Sequence, residues 1–168
     1  ADNAYGQAWQ EVTFGYCGFG WSQTNGSSTD LLVSMDGGID ETINTMAWRG
    51  MYKVIGETNA FIANIADSPL ESADKLPMEA AARFLRALAY YNLAVTYGDV
   101  PLKTTPSAHD GVAVPRSPKN EVFELVRTDW EFAYENLPEK DDDGFATKWA
   151  AKAYLGKLYH TLGCQGDN

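Results

Sequence analysis

Basic residues are scarce in this sequence. It has 13 Lys and Arg against 23 Asp and Glu, a formal net charge of −10 over 168 residues. Nucleic-acid binding needs clustered cations on phosphate, so that class is excluded. An electrostatic grip on anionic lipid is excluded on the same ground. No run of about 18 apolar residues occurs, so no segment reads as a membrane-spanning helix. Histidine and cysteine each occur only twice. His109 and His160 stand alone, and the local sequence offers neither one the partners of a catalytic or metal site. Cys17 and Cys164 lie near opposite ends, with no CxxC or Cys/His spacing. They read as two unlinked thiols, because sequence alone cannot bring their Cα atoms within bridging distance. No metal or cofactor is expected.

The motifs of the common enzyme classes are missing too. There is no GxSxG, no Gly-rich phosphate loop and no HExxH. Asp129 and Glu131 sit close together on a predicted helix but point to different faces, so they make a poor acid/base pair for a glycosidase. The acidic run at Asp141 to Gly144 invites a calcium reading. Placing Gly144 at the sixth position of an EF-hand loop puts Glu139, Asp141 and Asp143 at the first, third and fifth. Ala150 then falls at the twelfth, where a bidentate Glu is required. The run reads instead as a solvated turn before a helix N-terminus, where negative charge is favourable. The expectation is a protein that is not an enzyme.

What is present is a folded composition, 45% hydrophobic and 12% aromatic, in a chain long enough to bury one core. Residues 1–39 form an aromatic and Gly-rich region, with a short helix up to about Thr13 and then a long loop. Phe14, Tyr16, Phe19 and Trp21 lie among Gly15, Gly18 and Gly20, followed by the polar turn-former SQTNGSSTD. Flat aromatics can stack on the apolar faces of sugar rings, and the amides of Gln23 and Asn25 can bond hydroxyls. Trp21, Phe19, Tyr16 and Asn25 are therefore the candidate ligand contacts. The alternative is that these rings tuck back as loop anchors.

Residues 40–168 form a helical scaffold. From Asp40 to Ala66, Trp48, Met51, Tyr52, Ile55, Asn59, Ile62 and Ala63 keep the 3-and-4 spacing of one helical face. Trp48 reads as core, and Asn59 as bonded to backbone. A second helix is predicted from Pro77, suited to a first turn, to Tyr97. Its apolar surface comprises Ala81, Phe84, Leu85, Leu88, Tyr91, Leu93 and Val95. Gly98 fits a left-handed C-terminal position and Pro101 stops continuation. Nothing in that cap explains Asp99 or Val100. A long loop follows to Arg116, and Ser117 is the predicted cap of a helix with Pro118 in its first position. Val122, Val126, Trp130, Ala133 and Leu137 line that helix. A last helix runs from Phe145 to Leu162, with Ala146, Ala150, Ala151 and Ala153 small enough for another helix to approach. No strand pattern competes. The predicted fold class is all-α, with tetratricopeptide-like antiparallel helix pairs and long irregular loops.

Four stretches resemble, in order, the SusD/RagB family of surface nutrient-binding lipoproteins. EAAARFLRALAYYNLAVTYGDVPL (79 to 102) is similar to its acidic, A-x-FLRA-x-x-Y-x-x-L-x-x-x-YGDVPL pattern. WRGMYKVIGETNAFIANI (48 to 65) is similar to W-x-x-x-Y-x-x-I-x-x-x-N. PRSPKNEVFELVRTDWEFAYENLP (115 to 138) and GFATKWAAKAYLGKLYHTLG (144 to 163) match two more family segments. The resemblance covers about residues 45 to 163. The departures are Phe145 for Arg, Trp149 for Gly and Trp130 for Leu.

The resemblance implies a mostly helical protein, lipid-anchored on the extracellular face of the outer membrane. It implies a SusC-like TonB-dependent β-barrel transporter as partner, capped by this protein as it captures an oligosaccharide, or in some members a peptide. Under it, residues 1–168 are the N-terminal helical part of an incomplete domain, and both chain ends read as cuts. Contact with the membrane would be only through a lipid anchor outside this chain, since no apolar run precedes Cys17. A tetratricopeptide-like adaptor for protein partners is the remaining alternative.

Overall fold

The computed structural model describes residues 42–106, 114–140 and 144–164. Four helices fall in this part: α1 Thr42–Ile65, α2 Ser72–Tyr97, α3 Lys119–Asn136 and α4 Lys148–Cys164. The chain is all-α, built of tetratricopeptide-like helix pairs. It divides into two units, Ala1–Val54 and Ile55–Asn168, with the boundary inside α1.

In the first unit, the described turns of α1 bury Ala47 and Met51 completely. Trp48 is only partly buried, its ring centroid 4.9 Å from that of Tyr52. The core reading of Trp48 is thus half right, as the ring has an exposed flank.

In the second unit, α3 packs against both α2 and α4. The predicted face of α3 is the observed one: Val122, Val126, Trp130 and Ala133 are fully buried, and Leu137 nearly so. Trp130 stands at the centre of an aromatic cluster, 5.5 Å from Tyr91 of α2 and 5.2 Å from Tyr154 of α4. Its indole N–H, which must find an acceptor when buried, donates to the Phe84 carbonyl at 3.3 Å. Phe84 closes the cluster edge-on to Tyr154. Burying an apolar side chain of this size gains about 1.5–3 kcal/mol, so these rings tie the three helices together.

The predicted start of α2 is wrong by more than a turn. The helix begins at Ser72, and Pro77 lies inside it. Proline removes one backbone donor, so the carbonyl of Ala73 loses its usual intrahelical partner. The apolar residues on either side, Leu76 and Met78, do not pack into the core but are half-exposed. Hydrophobic spacing therefore does not mark this first stretch. Leu85 and Val95 were also expected on the buried face and are 44% and 50% exposed. The buried surface of α2 is made largely of alanines, namely Ala80, Ala82, Ala87, Ala89 and Ala94, interspersed with Tyr90, Tyr91 and Leu93.

The α2 C-terminus follows the sequence reading. Gly98 takes φ 72°, where residues with a Cβ are strained. Val100–Pro101 then forms strand β1, paired antiparallel with β2, Arg116–Ser117. The loop between them is therefore closed at its base by a short ladder that hydrophobic patterning did not foretell. The α3 cap is also different from expectation. Ser117 does not cap the helix; it lies in β2, opposite Val100. The Lys119 N–H at the helix start instead donates to Asp99 Oδ1 at 2.9 Å.

Candidate functional site

Among the described residues of the second unit, buried Asn59, Arg86 and Asp129 form one connected group. Arg86 of α2 meets Asp129 of α3 in a bidentate pair, Nε to Oδ2 and Nη2 to Oδ1, both at 2.8 Å. Asp129 is fully buried and Arg86 is 5% exposed. Two ions in such a place are tolerable only when their remaining hydrogen-bonding positions are filled. Arg86 Nη1 accordingly donates to Asn59 Oδ1 of α1 at 2.9 Å. The Asn59 amide passes the contact on, donating to the carbonyls of Lys103 and Thr105 at 2.9 and 3.2 Å. Tyr90 holds the same strip, its hydroxyl donating to the Lys103 carbonyl and accepting the Lys103 amide. The expectation that Asn59 bonds backbone is met, and the residue it serves is 44 positions away. Three helices and the segment after β1 are thus fastened at one point by charge-assisted bonds, which are stronger than neutral ones.

Around this point lies an ion-pair fringe. Glu79 pairs with Arg83 one turn later, and the Arg83 guanidinium lies 4.3 Å from the Phe132 ring centroid. Glu131 does not join Asp129. It faces outward and, with Glu124, holds Arg127. Hydrogen bonds donated by Arg127 to Glu124 and then to Glu131 raise its pKa above its already high value. The two acids are on different faces, as expected, so no acid/base pair forms.

Two exposed surfaces could receive something. The first is a groove of about 560 Å³, lined by Phe61 of α1, Met78 and Leu85 of α2, Leu137 and Pro138 after α3, and Phe145 before α4. Phe61, Met78, Leu85 and Phe145 are each at least 44% exposed. Glu57 and Thr58 are the polar residues on its wall. Leu85 falls off the buried face of α2 and Phe145 precedes a helix, so helical periodicity did not group them.

The second surface is at the start of α4. Trp149 is 52% exposed, with Lys148 Nζ at 4.9 Å and Lys152 Nζ at 5.9 Å from its ring. Lys152 Nζ also lies 5.2 Å from the Tyr134 ring of α3. Lys148 pairs with Glu139.

The predicted contacts Trp21, Phe19, Tyr16 and Asn25 lie outside the described residues, as do Cys17, His109 and Asp141 to Asp143. Cys164 is a free, exposed thiol, 3.7 Å from His160 Nε2. Among the described residues, no group of His, Cys, Asp and Glu could hold a metal ion, and no helix is long and apolar enough to cross a membrane.

A family model described as "Starch-binding associating with outer membrane" matches residues 19–160. A SusD-like protein of Bacteroides ovatus is 33% identical over 125 residues, which are 72% of this chain and 23% of the relative. The chain spans between 22% and 26% of the length of the curated relatives it matches. Among solved structures, one determined with xylogluco-oligosaccharide superposes with a TM-score of 0.81 at 28% identity, covering 94% of this chain and 32% of that one. A laminarin-binding SusD-like protein superposes with a TM-score of 0.76 at 25% identity, covering 95% of this chain and 39% of that one.

Proposed function

The chain belongs to the SusD-like family, and from that membership we propose that it is the N-terminal helical part of a non-enzymatic, cell-surface glycan-binding protein. The observation that carries this reading is the family match over residues 19–160. The buried fastening agrees with it. Asn59 and Arg86 are positions of the family pattern read in the sequence, as is Tyr90 or its neighbour Tyr91, and here Asn59, Arg86 and Tyr90 hold the helices and the 103–105 strip together. Those motif residues build scaffold, which leaves ligand reading to exposed side chains.

The ligand is an oligosaccharide, gripped by aromatic stacking and hydroxyl hydrogen bonds. Trp21 is the first contact, followed by Phe19, Tyr16 and Asn25. The partner is a SusC-like TonB-dependent β-barrel in the outer membrane, over which the protein closes to deliver its ligand. Its place is the extracellular face, held there by a lipid anchor. The test is purification of the intact protein from detergent-solubilised outer membranes. A β-barrel transporter should co-elute in stoichiometric amount, and Trp21→Ala should weaken oligosaccharide binding. Elution of the intact protein alone, or with soluble partners, would remove the transporter reading.

One observation favours a second reading, in which the ligand is a peptide. The groove bordered by Phe61, Met78, Leu85 and Phe145 offers few polar groups for sugar hydroxyls and suits apolar side chains. Competition between peptides and oligosaccharides for the intact protein separates the two.

A further inference from the structure

We propose that the start of α4 carries a subsite for an acidic sugar residue, stacked on Trp149 with its anion held by Lys152 and Lys148. The inference rests on the glycan-binding reading and narrows its ligand class. An exposed indole offers a large, flat, rigid apolar face suited to the apolar face of a pyranose. The two ammonium groups sit 4.9 and 5.9 Å from its centroid. They lie over the indole within cation–π reach, and as flexible side chains they can swing aside when a sugar stacks and meet its anion at the edge.

Among the described residues the charges nearest the ring are two ammonium groups, which favour an anion over a neutral sugar. The chain carries a net charge of −10, yet α4 has Lys148, Lys152 and Lys157 and no Asp or Glu. Among the described residues Lys152 faces only the Tyr134 and Trp149 rings and has no carboxylate partner. Lys148 is paired with Glu139, whose side chain is 67% exposed. The Lys148 side chain is 24% exposed, and with its partner carboxylate this open to water the pair is weak, so an incoming carboxylate or sulfate can compete with Glu139. A neutral hexose would stack on Trp149 but leave Lys152 unmatched.

The anion can be a uronate carboxylate or a sulfate ester. The test measures binding of oligogalacturonate, sulfated carrageenan oligosaccharide and neutral laminari-oligosaccharide to the intact protein by titration calorimetry. At least one acidic probe should bind, more weakly as salt is raised. Lys152→Gln should lower that affinity roughly tenfold, the effect of one lost charge-assisted contact. Trp149→Ala should lower it at least as much, and Lys152→Gln should leave binding of a neutral probe unaltered. Which acidic probe responds tells uronate from sulfate.

Unchanged acidic binding in both variants overturns the subsite. So does binding of the neutral probe with no binding of either acidic one, an outcome that leaves the glycan reading standing. Failure of every glycan overturns the glycan reading and the subsite with it. Protection of Lys148 and Lys152 from acetylation in the unliganded intact protein also overturns the subsite, because another part of the protein then covers this face. Both variants alter exposed side chains, and unchanged circular dichroism separates a binding loss from misfolding.

Discussion

Asp99 Oδ1 accepts the backbone N–H of Lys119 at 2.9 Å, so a residue just past the end of α2 caps the first turn of α3, 20 residues further on. The YGDVPL ending is thereby accounted for piece by piece. Gly98 turns the chain, Asp99 reaches the α3 N-terminus, and fully buried Val100 pairs with Ser117. A carboxylate is well suited to this place, since it fills an orphan donor and complements the helix dipole. Asp99→Ala should cost about 1 kcal/mol, the usual loss on removing a cap. Asp99→Asn, which keeps an acceptor oxygen, should cost much less. Urea denaturation of the two variants checks the difference, and equal losses would mean that the bond contributes nothing.

The Arg86–Asp129 pair predicts a far larger effect. Removing one member leaves a buried charge without its counterion, which costs about 3–5 kcal/mol. Asp129→Ala should therefore bring the chain close to unfolding, given ordinary stabilities of about 5–15 kcal/mol. Asn59→Ala is the milder probe. It removes the Asn59 bonds to the Lys103 and Thr105 carbonyls and to one Arg86 donor but leaves the ion pair in place. Hydrogen exchange should then speed up at the amides of the 103–105 strip while those inside α3 stay protected. Uniform acceleration through α3 would mean that the network holds the helices and not the strip.

Trp130 stands where the family pattern has leucine, and the structure uses the whole ring. It is fully buried, touches two tyrosines and donates to Phe84. Trp130→Leu should cost about 2–4 kcal/mol, in the range of large-to-small core substitutions. A calorimetric melt measures it. A loss below about 1 kcal/mol would mean that the surrounding rings collapse into the space, as volume-tolerant sites do.

The helices were legible because their buried faces repeat with the helical period. The α3 face was read residue by residue, and α1 was placed within two residues of its observed ends. What patterning missed is long-range and polar. No local rule joins Asn59 to Thr105 or Arg86 to Asp129, since their spacings of 46 and 43 residues reflect tertiary packing alone. The Asp99 cap was hidden for the same reason: caps are sought next to the helix they serve, and Ser117 was the nearer candidate. The exposed aromatics are the opposite case. Phe145 and Trp149 were visible as departures from the family pattern, but only coordinates show them half or more open to solvent.

Gly156 gives the last prediction. It lies inside α4, where glycine costs up to about 1 kcal/mol relative to alanine because the unfolded chain has more freedom to lose. A glycine is usually kept in such a place by a backbone that needs positive φ or by a neighbour too close for a Cβ. Neither applies here, since its φ is not positive and a Cβ at Gly156 would meet nothing within 4 Å. Gly156→Ala should therefore stabilise the 168-residue chain by about 0.5–1 kcal/mol, read as a higher urea midpoint with an unchanged slope. A lower midpoint would show that something approaches this face closely enough to exclude a methyl group. The same substitution in the intact protein extends the test. A gain there leaves the face of α4 open around Gly156, whereas a loss confined to the intact protein would mark it as a seat for a closely packed neighbour.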